Sequence, residues 1–144
     1  MIEARIKYDL YVRTRDDDDF YTLMGRFFGS REIAKALGMP MYDDLGRIWV
    51  IAIDRNNHPI ACSSIEMKGK KAAMKSAWVD VAYRGQGIYN QMFLMRLEIA
   101  KQCKVQIITS TATQMSKSTH ERYGFQFVGM RGQYFLYRKD LSLS

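Results

Sequence analysis

At 144 residues the chain has room for one domain, residues 1–144, whose core needs no disulfide or metal staple. No stretch approaches the about 18 consecutive apolar residues of a membrane span, and the start of the chain has no apolar signal-peptide core. The net charge of +7 fits an anionic cofactor, an anionic macromolecule, or both. Two cysteines are too few for a disulfide framework. Cys62 and Cys103 both fall in apolar-patterned segments, so the expectation is two buried thiols in a reducing cytoplasm.

Residues 2–12 alternate, with Ile2, Ala4, Ile6, Tyr8, Leu10 and Val12 on one side. A period of two predicts a half-buried strand. Asp16 to Asp19 then predict a helix opening, where carboxylates meet free amides and the helix dipole. They do not make a metal site, because consecutive acids on a helix point in different directions. Phe20, Leu23, Met24, Phe27 and Phe28 follow helical spacing and form a core face. Ser30 predicts the cap of a second helix through Leu37, with Gly38 as its stop and Pro40 beyond.

Residues 47–54 and 59–67 predict two strands joined by an Asn-rich turn that leaves His58 exposed. A third strand, 72–82, follows the Lys68-Gly69-Lys70-Lys71 turn, giving an antiparallel meander. Lys68, Lys70, Lys71 and Lys75 make either a solvated hairpin tip or a phosphate-contacting edge.

Residues 79–89, Val-Asp-Val-Ala-Tyr-Arg-Gly-Gln-Gly-Ile-Tyr, carry the most chemistry. A strand ends, a glycine loop follows, and a helix begins. Gly85 and Gly87 allow positive φ and close approach of a ligand. Amides left free in the first helical turn can face an anion. Arg84 adds a planar charged fork suited to phosphate, so the implied ligand is a pyrophosphate held by backbone. A nucleotide P-loop is excluded, because no Gly-Lys-Ser/Thr follows. A dinucleotide fingerprint fits poorly, with Asn90 where its third glycine belongs.

Helix 89–102 supplies Met92, Phe93, Met95, Ile99 and Ala100 to the core. Strand 105–108 follows a strand–helix crossover and should pair parallel to strand 72–82. Residues 114–123 predict a helix broken by Gly124. Residues 126–130 and 133–139 predict a final hairpin around Arg131-Gly132. The order is β-α-α-β-β-β-α-β-α-β-β. This is an α/β (α+β) fold with a mixed, mostly antiparallel sheet of about seven strands flanked by about four helices.

Two motifs in that order resemble the GNAT superfamily of acyl-CoA N-acyltransferases. Arg84-Gly85-Gln86-Gly87-Ile88-Tyr89 is similar to the family's pyrophosphate loop, Gln/Arg-x-x-Gly-x-Gly/Ala, and Val79-Asp80-Val81-Ala82-Tyr83 to the strand end before it. Ser118-Thr119-His120-Glu121-Arg122-Tyr123-Gly124-Phe125 is similar to the helix that ends in Tyr-Glu-Lys-x-Gly-Phe. The resemblance covers residues 47–139, and the N-terminal strand and two helices fit it as well.

The resemblance implies the GNAT fold and an N-acyltransferase. An acetyl or other acyl group would pass from acetyl-CoA to a primary amine by direct attack in a ternary complex. Strand 72–82 would bulge or splay away from strand 105–110, and coenzyme A would lie in the gap. Its pantetheine would pair with backbone near Val79 and Val81, and its pyrophosphate would sit on the loop of Arg84, Gly85, Gln86, Gly87, Ile88 and Tyr89. Ser116 joins this cofactor set, and the thioester would project toward helix 114–123. Tyr89 and His120 depart from the pattern. Tyr89 stands where the family prefers Gly or Ala, and its ring would crowd the phosphates or stack at the pocket rim. His120 stands where the family often has a Tyr acting as general acid.

His120, on one helical face with Ser116 and Tyr123, is the candidate acid, and Tyr123 is its substitute. The competing readings are a packing histidine and a core aromatic. Glu66, Asp80 or a water chain could serve as base, and no metal is implied. The acceptor could be a small molecule, a peptide or a protein. The charge also motivates a GNAT-fold protein that binds or modifies nucleic acid, and the two departures motivate a non-catalytic module. A monomer and a homodimer are both compatible with the sequence.

Overall fold

The computed structural model describes residues 7–143. Strand β1 (Tyr8–Arg13) leads into helices α1 (Phe20–Phe28) and α2 (Arg31–Leu37). The meander follows as β2 (Arg47–Asp54), β3 (Pro59–Lys68) and β4 (Lys71–Val79). Helix α3 (Ile88–Gln102) crosses to β5 (Ile107–Ala112), helix α4 (Lys117–Arg122) follows, and the hairpin of β6 (Gln126–Arg131) and β7 (Tyr134–Asp140) closes the chain. The element order matches the sequence reading.

The strands form one sheet in the order β1-β2-β3-β4-β5-β7-β6. Every pairing is antiparallel except β4 with β5. That parallel seam spans only Lys71–Ile107, Ala72–Ile108 and Ala73–Thr109. Beyond it β4 runs on to Val79 and β5 to Ala112 without pairing to each other, which is the expected splay.

The alternation along β2 explains why both sheet faces are covered. Val50 and Ala52 point into one core with Met92, Phe93, Leu97 and Ala100 of α3. Trp49, Ile51 and Ile53 point into a second core with Phe20, Met24 and Phe27 of α1 and Ile33 of α2. A strand buried on both sides reads as a continuous apolar run. The α2 boundaries follow local chemistry: the Ser30 hydroxyl accepts from the Ile33 amide at 3.1 Å, and Gly38 ends the helix at φ 83°.

Several expectations change. Helix α1 starts at Phe20, not within the Asp run, and no side chain caps it. Asp17 accepts from the Thr14 amide and Asp19 pairs with Arg13, so these carboxylates close a turn. Tyr8 and Leu10 pack inward, but Val12 is exposed; Ile2, Ala4 and Ile6 lie outside the described residues. Strand β4 stops at Val79 because Val81–Tyr83 wind into a 3₁₀ turn. Strand β5 starts at Ile107, since Val105 N–H bonds back to Ala100 C=O and Lys104 takes φ 58°. Helix α4 is shorter than expected because a turn at Thr113–Ser116 precedes it. Cys62 is buried, which pushes its thiol pKa far up, but Cys103 is exposed at the end of α3. No described helix is long and apolar enough to cross a membrane.

Candidate functional site

Where β4 and β5 part, a cleft of about 510 Å³ opens. Ala77, Trp78 and Val79 of β4 form one wall, and Thr113, Met115, Ser116 and Thr119 form the other. The loop after β4 closes one end with Tyr83, Arg84, Gly85 and Gly87, continuing into Ile88, Tyr89 and Asn90 of α3. Ala36 and Leu37 of α2 complete the lining.

The loop has the geometry of an anion cradle. Gly85 and Gly87 sit at φ 80° and 85°, the left-handed region. A Cβ at either would meet no protein atom within 4 Å, so it would project into open space where a ligand could approach. The α3 ladder begins with Gln91 N–H to Gly87 C=O, which leaves the amides of Ile88, Tyr89 and Asn90 without helical acceptors. The Ile88 side chain is buried and anchors that turn. Arg84 Nε donates to Val79 C=O at 2.8 Å while the guanidinium lies over the Trp78 ring at 4.8 Å. Arg84 is therefore held at the mouth of the cleft. Gln86 lies outside the cleft lining, and its Oε1 is buried without a hydrogen-bond partner. The two glycines, the free amides and Arg84 fit a diphosphate on the backbone.

The pantetheine expectation narrows. Val79 lines the cleft, but Arg84 uses its carbonyl. Val81 is exposed, in the 3₁₀ turn, and outside the lining. Of the two residues expected to pair with a ligand, only Val79 belongs to β4 and lines the cleft.

Tyr89 lines the cleft. Its ring packs against Phe93, with centroids 6.2 Å apart, and its phenol lies beside the Arg96 guanidinium. Arg96 was not legible as a site residue. It is buried, and Nη1 donates to Ser64 C=O at 3.2 Å and Lys75 C=O at 3.5 Å. It joins α3 to the irregular stretch of β3 and β4 beside the cleft. Asn90 was also missed. Its Oδ1 accepts from the Thr119 hydroxyl at 2.7 Å and ties α3 to α4 across the cleft.

The catalytic expectations change most. His120 is 1% exposed and does not line the cleft. Its Nδ1 lies 2.8 Å from Ser116 C=O, and its Nε2 lies 2.7 Å from Ser110 Oγ. Burial pulls its pKa below 6.5, and the nearby Arg96 charge adds to this against the bond to Ser116. Enclosed and outside the lining, the imidazole does not itself meet a group bound in the cleft. Tyr123 stacks on Phe93 at 5.7 Å and lies outside the cleft lining. Ser116 lines the cleft, but its hydroxyl accepts from the Thr113 amide at 2.9 Å and closes the turn before α4.

Neither carboxylate named as a base is free. Glu66 lies between Arg47 at 3.6 Å and Lys68 at 3.8 Å. Its β4 neighbour is Ala73, at the opposite end of the strand from the loop. Asp80 accepts from Trp78 Nε1 at 2.9 Å and pairs with Arg26 at 3.2 Å. Among the described residues no group of three or more His, Cys, Asp or Glu could hold a metal ion.

The sequence profile of the acetyltransferase (GNAT) family matches residues 11–125. The chain belongs to the GNAT family. Its sheet, crossover and loop are thus the family's own architecture. Comparison with curated proteins finds no match. Among solved structures, this GNAT chain is similar to a GNAT-family acetyltransferase from Staphylococcus aureus. The identity is 12%, with 94% of this chain and 99% of that one covered, at TM-score 0.69. It is also similar to a GNAT-family acetyltransferase from Listeria monocytogenes (15% identity, 92% and 95% covered, TM-score 0.63). A third is the PaiA N-acetyltransferase from Thermoplasma acidophilum in complex with coenzyme A (14% identity, 86% and 79% covered, TM-score 0.59). At these identities the likeness shows the fold.

Proposed function

We propose that this protein binds acetyl-CoA in the β4–β5 cleft and transfers the acetyl group to a primary amine. The observation that carries the proposal is the open seam ending on the Gly85–Gly87 loop. The amides of Ile88, Tyr89 and Asn90 would hold the diphosphate, with Arg84 at the mouth. The edge of β4 at Ala77–Val79 would align the arm behind it. Bound there, the thioester supplies an activated acyl carbonyl. The chain contributes positioning, apolar cover from Trp78 and Leu37, and backbone donors for developing oxygen charge. A ternary complex fits a cleft with no nucleophilic cysteine, since Cys62 is buried in the other core and Cys103 lies on the far end of α3.

The basic residues do not favour the nucleic-acid alternative at this site. Lys68, Lys70 and Lys71 stand at the β3–β4 hairpin tip, the opposite end of β4 from the phosphate loop, and Lys75 lies midway along β4. Calorimetric titration with coenzyme A tests the reading first. Binding in the micromolar range and acetyl-CoA consumption with at least one member of an amine panel are expected. No heat at millimolar coenzyme A overturns it.

A further inference from the structure

Asp80 and Arg84 flank the 3₁₀ turn of Val81–Tyr83, close enough in the chain for a direct ion pair. None forms: among the described residues Arg84 takes part in no ion pair, and Asp80 pairs with Arg26 instead. The Asp80 carboxylate is filled. Its Oδ1 accepts from Trp78 Nε1 at 2.9 Å and from Arg26 Nη1 and Nη2 at 3.2 Å each, and its Oδ2 lies 3.2 Å from Arg26 Nη2. The Asp80 main chain is fixed as well, by its N–H to Ile60 C=O at 3.0 Å. Arg26 reaches this point from α1 and is outside the cleft lining. Its Nη1 also donates to Pro59 C=O at 3.1 Å, and its guanidinium lies over the Phe27 ring at 4.5 Å.

This arrangement decides what Arg84 has to offer. Its Nε is used by Val79 C=O, and its cation rests on the Trp78 ring, which attracts it without supplying a countercharge. Its Nη1 and Nη2 make no hydrogen bond with the described residues. Trp78 and Arg84 both line the cleft, so the free end of the fork stands where a ligand enters. Two free guanidinium nitrogens suit a phosphate, which they can bind in parallel. A guanidinium already closed on a carboxylate has to break that pair first. Trp78 and Arg26 together use up the one carboxylate near enough in the chain to close on it.

We propose that Arg26 is a positioning residue for the diphosphate site: it holds Asp80 away from Arg84 and so keeps the Arg84 fork free for the phosphates. This rests on the acetyl-CoA reading above. Trp78 serves the same end twice, carrying Arg84 on its face and giving its N–H to Asp80. Arg26 never meets the ligand. It acts from the opposite side of the sheet, 54 residues before Asp80 in the chain, by removing a competitor.

The test is calorimetric titration of variants with coenzyme A. Arg26→Gln should weaken binding about tenfold, the scale of one charge-assisted contact. Arg26→Lys keeps a cation against Asp80 and should stay within about threefold of wild type. Adding Asp80→Asn to Arg26→Gln removes the competitor, keeps an acceptor for the Trp78 N–H, and should bring affinity back to within about threefold of wild type. In an Arg84→Gln background, Arg26→Gln should change affinity by less than about twofold, because its effect runs through Arg84. Arg26→Met, whose unbranched stem can still cover Phe27, takes the place of Arg26→Gln if that variant does not fold. Wild-type affinity in Arg26→Gln overturns the proposal and leaves the cofactor site standing. So does a double variant as weak as Arg26→Gln, which is the outcome of a merely structural ion pair, or a loss that persists without Arg84. A wild-type protein that does not bind coenzyme A overturns the parent reading instead, and this one with it.

Discussion

His120 shows how one residue can be found by pattern while its surroundings stay hidden. Its spacing from Ser116 and Tyr123 was legible, and the hydrogen bond to Ser116 follows from that i, i−4 relation. What the spacing does not show is depth. Phe93, Phe125 and Tyr137 come from three other elements and enclose the ring. The enclosure has a pH signature. Unfolded, His120 takes a proton near 6.5; folded, burial delays this to lower pH. Between those two values the unfolded chain binds the extra proton, so stability falls as pH drops and is fully kept above 6.5. Urea unfolding at pH 7.5 and 5.5 should give lower stability at the acid value, with the difference reduced in His120→Gln. An equal acid loss in the variant would assign the effect elsewhere. Arg96 was hidden for a related reason. Its acceptors are main-chain carbonyls of Ser64 and Lys75, which no sequence pattern displays.

The elements were legible where their signals are local. The β2 boundaries agree with the reading because an apolar run and an Asn-rich turn delimit the strand, and α2 agrees because Ser30 and Gly38 do the same. The misplaced boundaries are those set by partners. Val81 and Ala82 read as strand, but Asp80 N–H bonds to Ile60 C=O on β3 and the chain then turns. Strand β5 extends through Thr109, Ser110 and Thr111 because β7 pairs with it along its whole length. The glycine loop belongs to the legible class, and its prediction is sharp. Gly87→Ala puts an L-residue at φ 85°, a strain of about 1–2 kcal/mol, and aims a methyl group at the anion position. The variant should be less stable by about that amount in urea and should bind coenzyme A at least tenfold more weakly. Unchanged affinity would move the diphosphate off this loop.

For the whole molecule, the shared sheet decides cooperativity. Consecutive β2 residues enter the two cores in turn, so neither helical layer can loosen alone without unpacking the strand it shares. Unfolding should be a single transition, coincident by tryptophan fluorescence and circular dichroism. Trp49→Ala, a fully buried site on the α1–α2 side, should lower stability by about 3–5 kcal/mol and shift both probes together. Separate transitions would mean that the layers fold independently.

The short parallel seam divides the sheet into two blocks, β1 to β4 and β5 with β7 and β6. Three residue pairs are a weak weld between them. A ligand lying along the open edge of β4 acts as an inserted plank and lengthens that weld. Amide protons on the stretches where β4 and β5 face the gap should then exchange more slowly in the complex, so substrate loading would be recorded as a stiffening of the joint between the two blocks.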